Sequence, residues 1–211
     1  MKEGARKSPI KRPSYLRIDA LKELGNIGAG HAVTGLAKLL RKRIDVNITS
    51  VDLIPVKIIY NFFDGPESMV SVVYIEGYSE GFRGMMFIIF PHPEATRLVE
   101  LATGKAQMDE NFWDEYSLSV LKEIGNIMCG SYLTALSTFV NRKLMQSVPQ
   151  VSHDMLGAVM DWVLVDLSME SDYALVLETA FTLGANGCKG FLFFVPTQES
   201  LDTIFESIGV E

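Results

Sequence analysis

Leu21-Lys22-Glu23-Leu24-Gly25-Asn26-Ile27-Gly28-Ala29-Gly30 returns one hundred residues later as Leu121-Lys122-Glu123-Ile124-Gly125-Asn126-Ile127-Met128-Cys129-Gly130. Thr34 and Leu36 return as Thr134 and Leu136, so nine of the sixteen positions from 21 to 36 are identical at this offset. A chain that repeats itself at such a spacing carries two copies of one structural unit. The echo continues more faintly. Arg83-Gly84 and the apolar run to Pro91 resemble Lys189-Gly190 and the run to Pro196, and a glycine lies thirteen residues after each proline, at Gly104 and Gly209.

Working outward from this pair, the spacing predicts a long helix over about 18–41 and its counterpart over about 116–140. Extended segments are expected near 44–49, 54–62, 69–78 and 82–90, and in the second half near 144–149, 159–168, 173–183 and 188–195. Runs such as Met69 to Ile75 and Gly190 to Val195 are short, branched or aromatic and bounded by turn residues, as strands are. Short helices over 93–102 and 198–208 end at Gly104 and Gly209. A further amphipathic piece, 152–160, sets Met155, Leu156, Val159 and Met160 on one helical face. Neither copy has enough strand to stand alone, and no Ser/Gly/Pro-rich linker separates them; Asp109-Glu110-Asn111 caps their junction. The expected fold is therefore α+β, internally duplicated and pseudo-twofold. A mainly antiparallel sheet is shared by both halves, with the long helices packed against it.

At about 100° per residue, Asp19, Glu23, Asn26, Gly30 and Thr34 fall on one side of the first helix. Leu21, Leu24, Gly25, Gly28, Ala32, Leu36 and Leu39 fall on the other. Each glycine inside a helix costs about 1 kcal/mol, so something must use the close approach it permits. The second helix repeats the polar stripe with Ser119, Glu123, Asn126, Gly130 and Thr134. A carboxylate and a carboxamide one turn apart can act together on a ligand above the helix. The carboxylate pairs with a cation, and the amide offers a donor and an acceptor that can hold a water. A single such pair is ordinarily a solvated face. Its recurrence, alongside glycines that weaken the helix, argues that the pattern does more.

Composition bounds the rest. Of 211 residues, 48% are hydrophobic and 21% charged, which is globular usage. The first fifteen residues hold five basic side chains, one acid and two prolines. They read as a disordered basic tail, 1–15, ahead of a single domain over 16–211 built from repeats at about 16–108 and 109–211. Without the tail the chain has 14 basic and 25 acidic residues, a poor surface for nucleic acid. No apolar run reaches the roughly 20 residues that cross a bilayer, and none follows the basic run as a signal peptide would need. Cys129 and Cys188 sit in apolar settings with no CxxC partner, as buried thiols in a reducing cytoplasm do. No metal-ligand spacing appears.

The two stripes resemble those of the CheC/CheX/FliY family of bacterial chemotaxis phosphatases, most closely its CheC branch. Members carry Asp or Ser, then three residues, Glu, two residues, Asn, and a proline further on. Ser119, Glu123, Asn126 and Pro149 match at every point, whereas Asp19, Glu23 and Asn26 are followed by Thr49 where the proline would stand. Thr49 does not fix the backbone as proline does, so the strand entrance of the first copy is expected to be the looser one. Asp19 would replace a hydroxyl in a helix-capping role. The resemblance implies hydrolysis of the phospho-aspartyl form of the response regulator CheY. In it the Glu pairs with a regulator lysine, the Asn orients the attacking water, and Mg²⁺ is carried by the regulator and not by this chain. It also implies a second partner, the receptor deamidase CheD, for which His153, Asp154 and Met155 are the candidate contact. The FliY branch adds a C-terminal switch domain for which a chain ending at Glu211 is too short. The rival reading is a non-catalytic adaptor or switch-like module that binds phosphorylated CheY or CheD. Such a module would be expected to lack the Glu/Asn pairs that both copies keep here.

Gly25-x-x-Gly28-x-Gly30 is not a nucleotide loop: it lies within a helical run, and no GK[ST] follows. His31, His92 and His153 share no spacing with acids that would mark a triad. Met155, Met160 and Trp162 read as core before docking surface, and Phe62-Phe63 and Phe112-Trp113 as core or hinge packing.

Overall fold

The computed structural model describes residues 15–104, 113–167, 173–183 and 186–207. The basic tail, the Asp109-Glu110-Asn111 junction, Phe112 and Gly209 lie outside the described residues, as does the side chain of Trp162. The elements run α1 (Tyr15–Leu40), β1 (Ile44–Pro55), a 3-10 helix (Val56–Phe62), β2 (Met69–Ser79), β3 (Phe82–Pro91), α2 (His92–Thr103) and α3 (Glu115–Phe139). They continue with β4 (Met145–Gln146), β5 (Gln150–Met155), α4 (Leu156–Leu167), β6 (Tyr173–Leu183), β7 (Asn186–Pro196) and α5 (Gln198–Ser207).

Among the described residues, seven strands join one sheet in the order β1-β6-β7-β3-β2-β4, with β5 also on β2, and every pairing is antiparallel. Exchanging β1 with β4 and β5, β2 with β6, and β3 with β7 makes the order read the same from the opposite edge. The first strand of each half crosses to the other: β1 pairs with β6, and β5 with β2. The edge strands are thereby exchanged, and neither half completes its share of the sheet alone.

Strict alternation along the inner strands divides the core in two. Val73, Ile75, Ile88, Phe90, Leu192 and Phe194 point toward α1, α3, α2 and α5. Val70, Val72, Phe87, Ile89, Phe193 and Val195 point the other way, where the 3-10 helix and α4 cover them. Phe87 and Phe193 stack there at 5.3 Å, and Phe62 and Phe63 meet Phe191 edge-on, so that aromatic pair is core packing as expected. Cys129 and Cys188 are both buried, and burial pushes each thiol up to about 12.

Two apolar segments differ from their sequence reading. The stretch expected to be extended over 54–62 leaves the strand at Pro55 and becomes the 3-10 helix, burying Val56 and Ile59 three residues apart. The stretch expected as a strand over 159–168 belongs to α4, which buries Leu156, Val159 and Met160 at helical spacing. Short, almost continuously apolar runs carry no period that separates buried strand from buried helix. The helix expected over 152–160 begins only at Leu156. The preceding residues are β5, which leaves Met155 half exposed on the sheet edge and not on a helical face. Over 144–149 only Met145 and Gln146 pair as strand.

Candidate functional site

On α1 the residues toward the sheet (Leu21, Leu24, Gly25, Gly28, Ala32 and Leu36) are buried, while Asp19, Glu23, Asn26, Gly30 and Thr34 are exposed. Leu39, in the last turn, is exposed as well and leaves the apolar face. A side-chain carbon on Gly25 would stand 2.7 Å from Leu177 of β6, and on Gly125 it would overlap Val73 of β2. Gly28 is pressed against Tyr132, where α1 meets α3. The inward glycines therefore let both long helices lie close on the sheet and on each other. Van der Waals attraction across that close-fitting surface offsets their poor helix propensity. This packing also sets the rotation of each helix, and so aims its polar stripe outward.

The second stripe is built on α3. Asp114 caps this helix, its carboxylate accepting from Ser117 N at 2.9 Å. Ser119 lies in the second turn with its hydroxyl donating to Tyr116 O, and Asp19 lies in the second turn of α1. Neither is a cap, contrary to the sequence reading. Both long helices begin a turn earlier than the motif. Glu123 and Thr134 are exposed, and Asn126 and Gly130 are half-buried. The Thr134 hydroxyl donates to Gly130 O at 2.7 Å.

The environments of the two stripes differ. Among the described residues, nothing outside its own helix lies within 4 Å of where a side chain on Gly30 would begin. At Gly130 the same position is 3.0 Å from Oε1 of Gln146 on β4, and Gln146 Nε2 donates to Asn126 Oδ1 at 3.1 Å. Gln146 was not legible from the repeat, because position 46 holds Val46, which is buried under α1. Its one signal is its place three residues before Pro149. Pro149 itself sits in the break between β4 and β5. Thr49 marks an irregularity at the matching place, a bulge between Ile48 and Ser50 through which β1 continues. The Thr49 hydroxyl donates to Glu178 O at 3.3 Å, so the threonine is tied to β6.

His153 on β5 faces inward. Its Nδ1 lies 2.7 Å from the buried Ser71 hydroxyl, and its ring stacks on Trp113 at 3.8 Å. Burial, and secondarily the neighbouring His92, push its pKa below the usual histidine value, while Asp154 draws it partly back. Asp154 and Met155 are exposed. Among the described residues, no group of three or more His, Cys, Asp and Glu side chains gathers as a metal cage would.

A family model described as the CheC-like family matches residues 16–47 and 117–153, the stretches that carry the two stripes and the strands after them. The chain is 34% identical over 197 residues to the CheY-P phosphatase CheC of Bacillus subtilis (strain 168), covering 92% of this chain and 94% of that protein. It is 32% identical over 139 residues to the flagellar motor switch phosphatase FliY of the same organism, covering 65% of this chain but 36% of that one. Among solved structures, Thermotoga maritima FliY shares the fold with a TM-score of 0.72 at 22% identity, covering 93% of this chain and 98% of that one.

Proposed function

The chain belongs to the CheC-like family of chemotaxis-related phosphatases, and from that premise we propose that it hydrolyses the phospho-aspartate of the response regulator CheY. The supporting observation is that Glu23, Asn26, Glu123 and Asn126 all reach the outer side of the long helices, within the stretches the family model matches. A docked protein can lie along either stripe.

In this reading Glu23 or Glu123 pairs with a lysine of the regulator and sets the register of docking. Asn26 or Asn126 then enters the acyl-phosphate site. Its amide oxygen accepts a hydrogen bond from a water and its N–H groups donate to a phosphoryl oxygen, holding the water in line with the scissile P–O bond. Water oxygen bonds to phosphorus as the bond to the aspartyl oxygen breaks, and the carboxylate leaves with the electron pair. An aspartate is a good leaving group and needs no proton, so the amide need not titrate; the water's proton passes to the released phosphate or to solvent. Mg²⁺ on the regulator balances the phosphoryl charge. Gly30, one turn beyond Asn26, leaves room for the partner's backbone, whereas Gly130 gives its space to the Gln146 amide. Thr34 and Thr134 continue the stripe, and Asp19 and Ser119 extend it toward the helix start.

CheD is the second partner in this reading. Asp154 and Met155 form the part of the 153–155 segment open to it, because His153 is engaged with Ser71 and Trp113. The work is cytoplasmic, where the regulator is phosphorylated. The test is to mix the purified chain with phosphorylated CheY and Mg²⁺ and follow phosphate release. Acceleration over spontaneous loss is expected. A chain that binds the phosphorylated regulator and leaves its lifetime unchanged or longer is an adaptor, and the reading fails.

A further inference from the structure

We infer that Gln146 is a positioning residue for the second site: it holds the Asn126 carboxamide in one orientation, and among the described residues the first site has no counterpart to it. This rests on the reading of Asn126 given above.

A carboxamide looks nearly alike from either end, and a half-turn about its last bond exchanges oxygen for nitrogen. At an exposed helix position nothing selects between the two. At Asn126 the partner is Gln146, whose Nε2 donates to Oδ1 at 3.1 Å while its Oε1 is turned toward Gly130. The oxygen has two lone pairs, so one engaged by Gln146 leaves the other to accept from a water. The two N–H groups are then turned away from the Gln146 amide.

Gln146 can do this because its backbone is clamped. It pairs with Gly77 on β2, and Ser147 next to it donates its N–H to Glu76 O at 2.9 Å and accepts from Glu76 N through its hydroxyl at 3.0 Å. Gly77 in turn lets β2 approach α3, since a side chain there would stand 2.6 Å from Leu133. Gly130 completes the seat by giving the Gln146 amide the space a side chain would fill. Backbone pairing and two glycines thus converge on one side-chain hydrogen bond. On the first helix Val46 occupies the matching strand position and is buried, and among the described residues no neighbour stands over Gly30. The apolar Val46 side chain has no donor to offer Asn26 from the strand that follows its helix.

The test isolates the second site with Asn26→Ala and measures dephosphorylation of phosphorylated CheY with Mg²⁺ as substrate concentration is varied. Adding Gln146→Ala is expected to lower kcat about tenfold with KM changed less than about twofold, because orientation and not docking is lost. Gln146→Glu keeps the shape but replaces the donor by an acceptor, which favours the flipped amide, so kcat is expected to fall at least as far. An unchanged or raised kcat in Gln146→Ala, a change confined to KM, or full activity in Gln146→Glu overturns the inference. Melting temperature is followed in parallel and should not move, since the side chain is exposed. The parent reading is checked separately: if Asn26→Ala/Asn126→Ala is as fast as Asn26→Ala alone, it is the role of Asn126 that fails, whatever Gln146 does.

Discussion

The strands that follow the two long helices share a pattern and part company in what they do with it. Ile44, Val46 and Ile48 insert into the core beneath α1, and β1 runs on through a bulge at Thr49 as one twelve-residue strand. Leu144, Gln146 and Val148 stand at the same places after α3, yet Gln146 and Val148 are exposed and the strand breaks before Pro149. Helix packing tolerates little change, because inward glycines and leucines are fitted to the sheet. An edge strand has one free side and can diverge at low cost. The helices therefore keep a common carboxylate–amide stripe, while the edges decide how open each stripe is and how firmly its amide is held.

The largest difference between the two stripes is expected at the amides. If Gln146 orients Asn126, the second site carries the larger share of turnover. Asn126→Ala should lower the rate of the intact chain by about two- to tenfold and Asn26→Ala by less than about twofold, read as kcat/KM on phosphorylated CheY. Equal losses would make the stripes equivalent despite Gln146.

Glycines on the inward and outward faces should respond oppositely to a methyl group. Gly125→Ala sets a methyl group into Val73 and is expected to destabilise by about 1–3 kcal/mol in urea unfolding. Gly30→Ala meets nothing within 4 Å and should stabilise by up to about 1 kcal/mol, the gain in helix propensity. Similar costs at both positions would contradict the division into an inward packing face and an outward open one.

The α3 end of the sheet also holds a titrating group where β1 has Leu53. His153, stacked on Trp113 and beside His92, is held below the ordinary histidine pKa. The unfolded chain therefore binds more protons than the folded one as pH falls through about 6.5, and stability is full above that value and declines below it. Melting temperature should drop by a few degrees between about pH 7.5 and pH 5.5, and His153→Gln should flatten that slope. A slope unaltered by the substitution would assign the effect to other groups.

The smallest effect concerns how the long helices end. Arg41 and Asn141 hold equivalent positions, each with φ 51° in the left-handed region. Asn tolerates that conformation better than Arg. Arg41→Asn should stabilise, and Asn141→Arg destabilise, each by no more than about 1 kcal/mol in equilibrium unfolding. The opposite signs would show that side-chain contacts outweigh the backbone there.

Much of this arrangement was legible in the residues. Repetition marked both long helices, their apolar faces and their stripes, since a pattern that must pack on a sheet twice leaves the same spacing twice. The antiparallel sheet followed from short branched runs between turns. Val56–Phe62 and Leu156–Leu167 are less legible, because apolar residues dominate both short runs and no clear period remains. The expected start near 116 lies one residue from Glu115 and that near 18 three residues from Tyr15, while the capping role expected of Asp19 and Ser119 falls on α3 to Asp114. Gln146 was invisible for a different reason: a search by repetition finds features both halves share, and this residue belongs to one.

The outward amides are expected to act in the chemistry and not merely in recognition. The direct measurement is single-turnover phosphate release from phosphorylated CheY by the intact chain and by Asn26→Ala/Asn126→Ala, with binding of the regulator followed in the same samples. Loss of nearly all acceleration with binding retained is the result expected. Release as fast as that of the intact chain, from a variant that still binds, would contradict it.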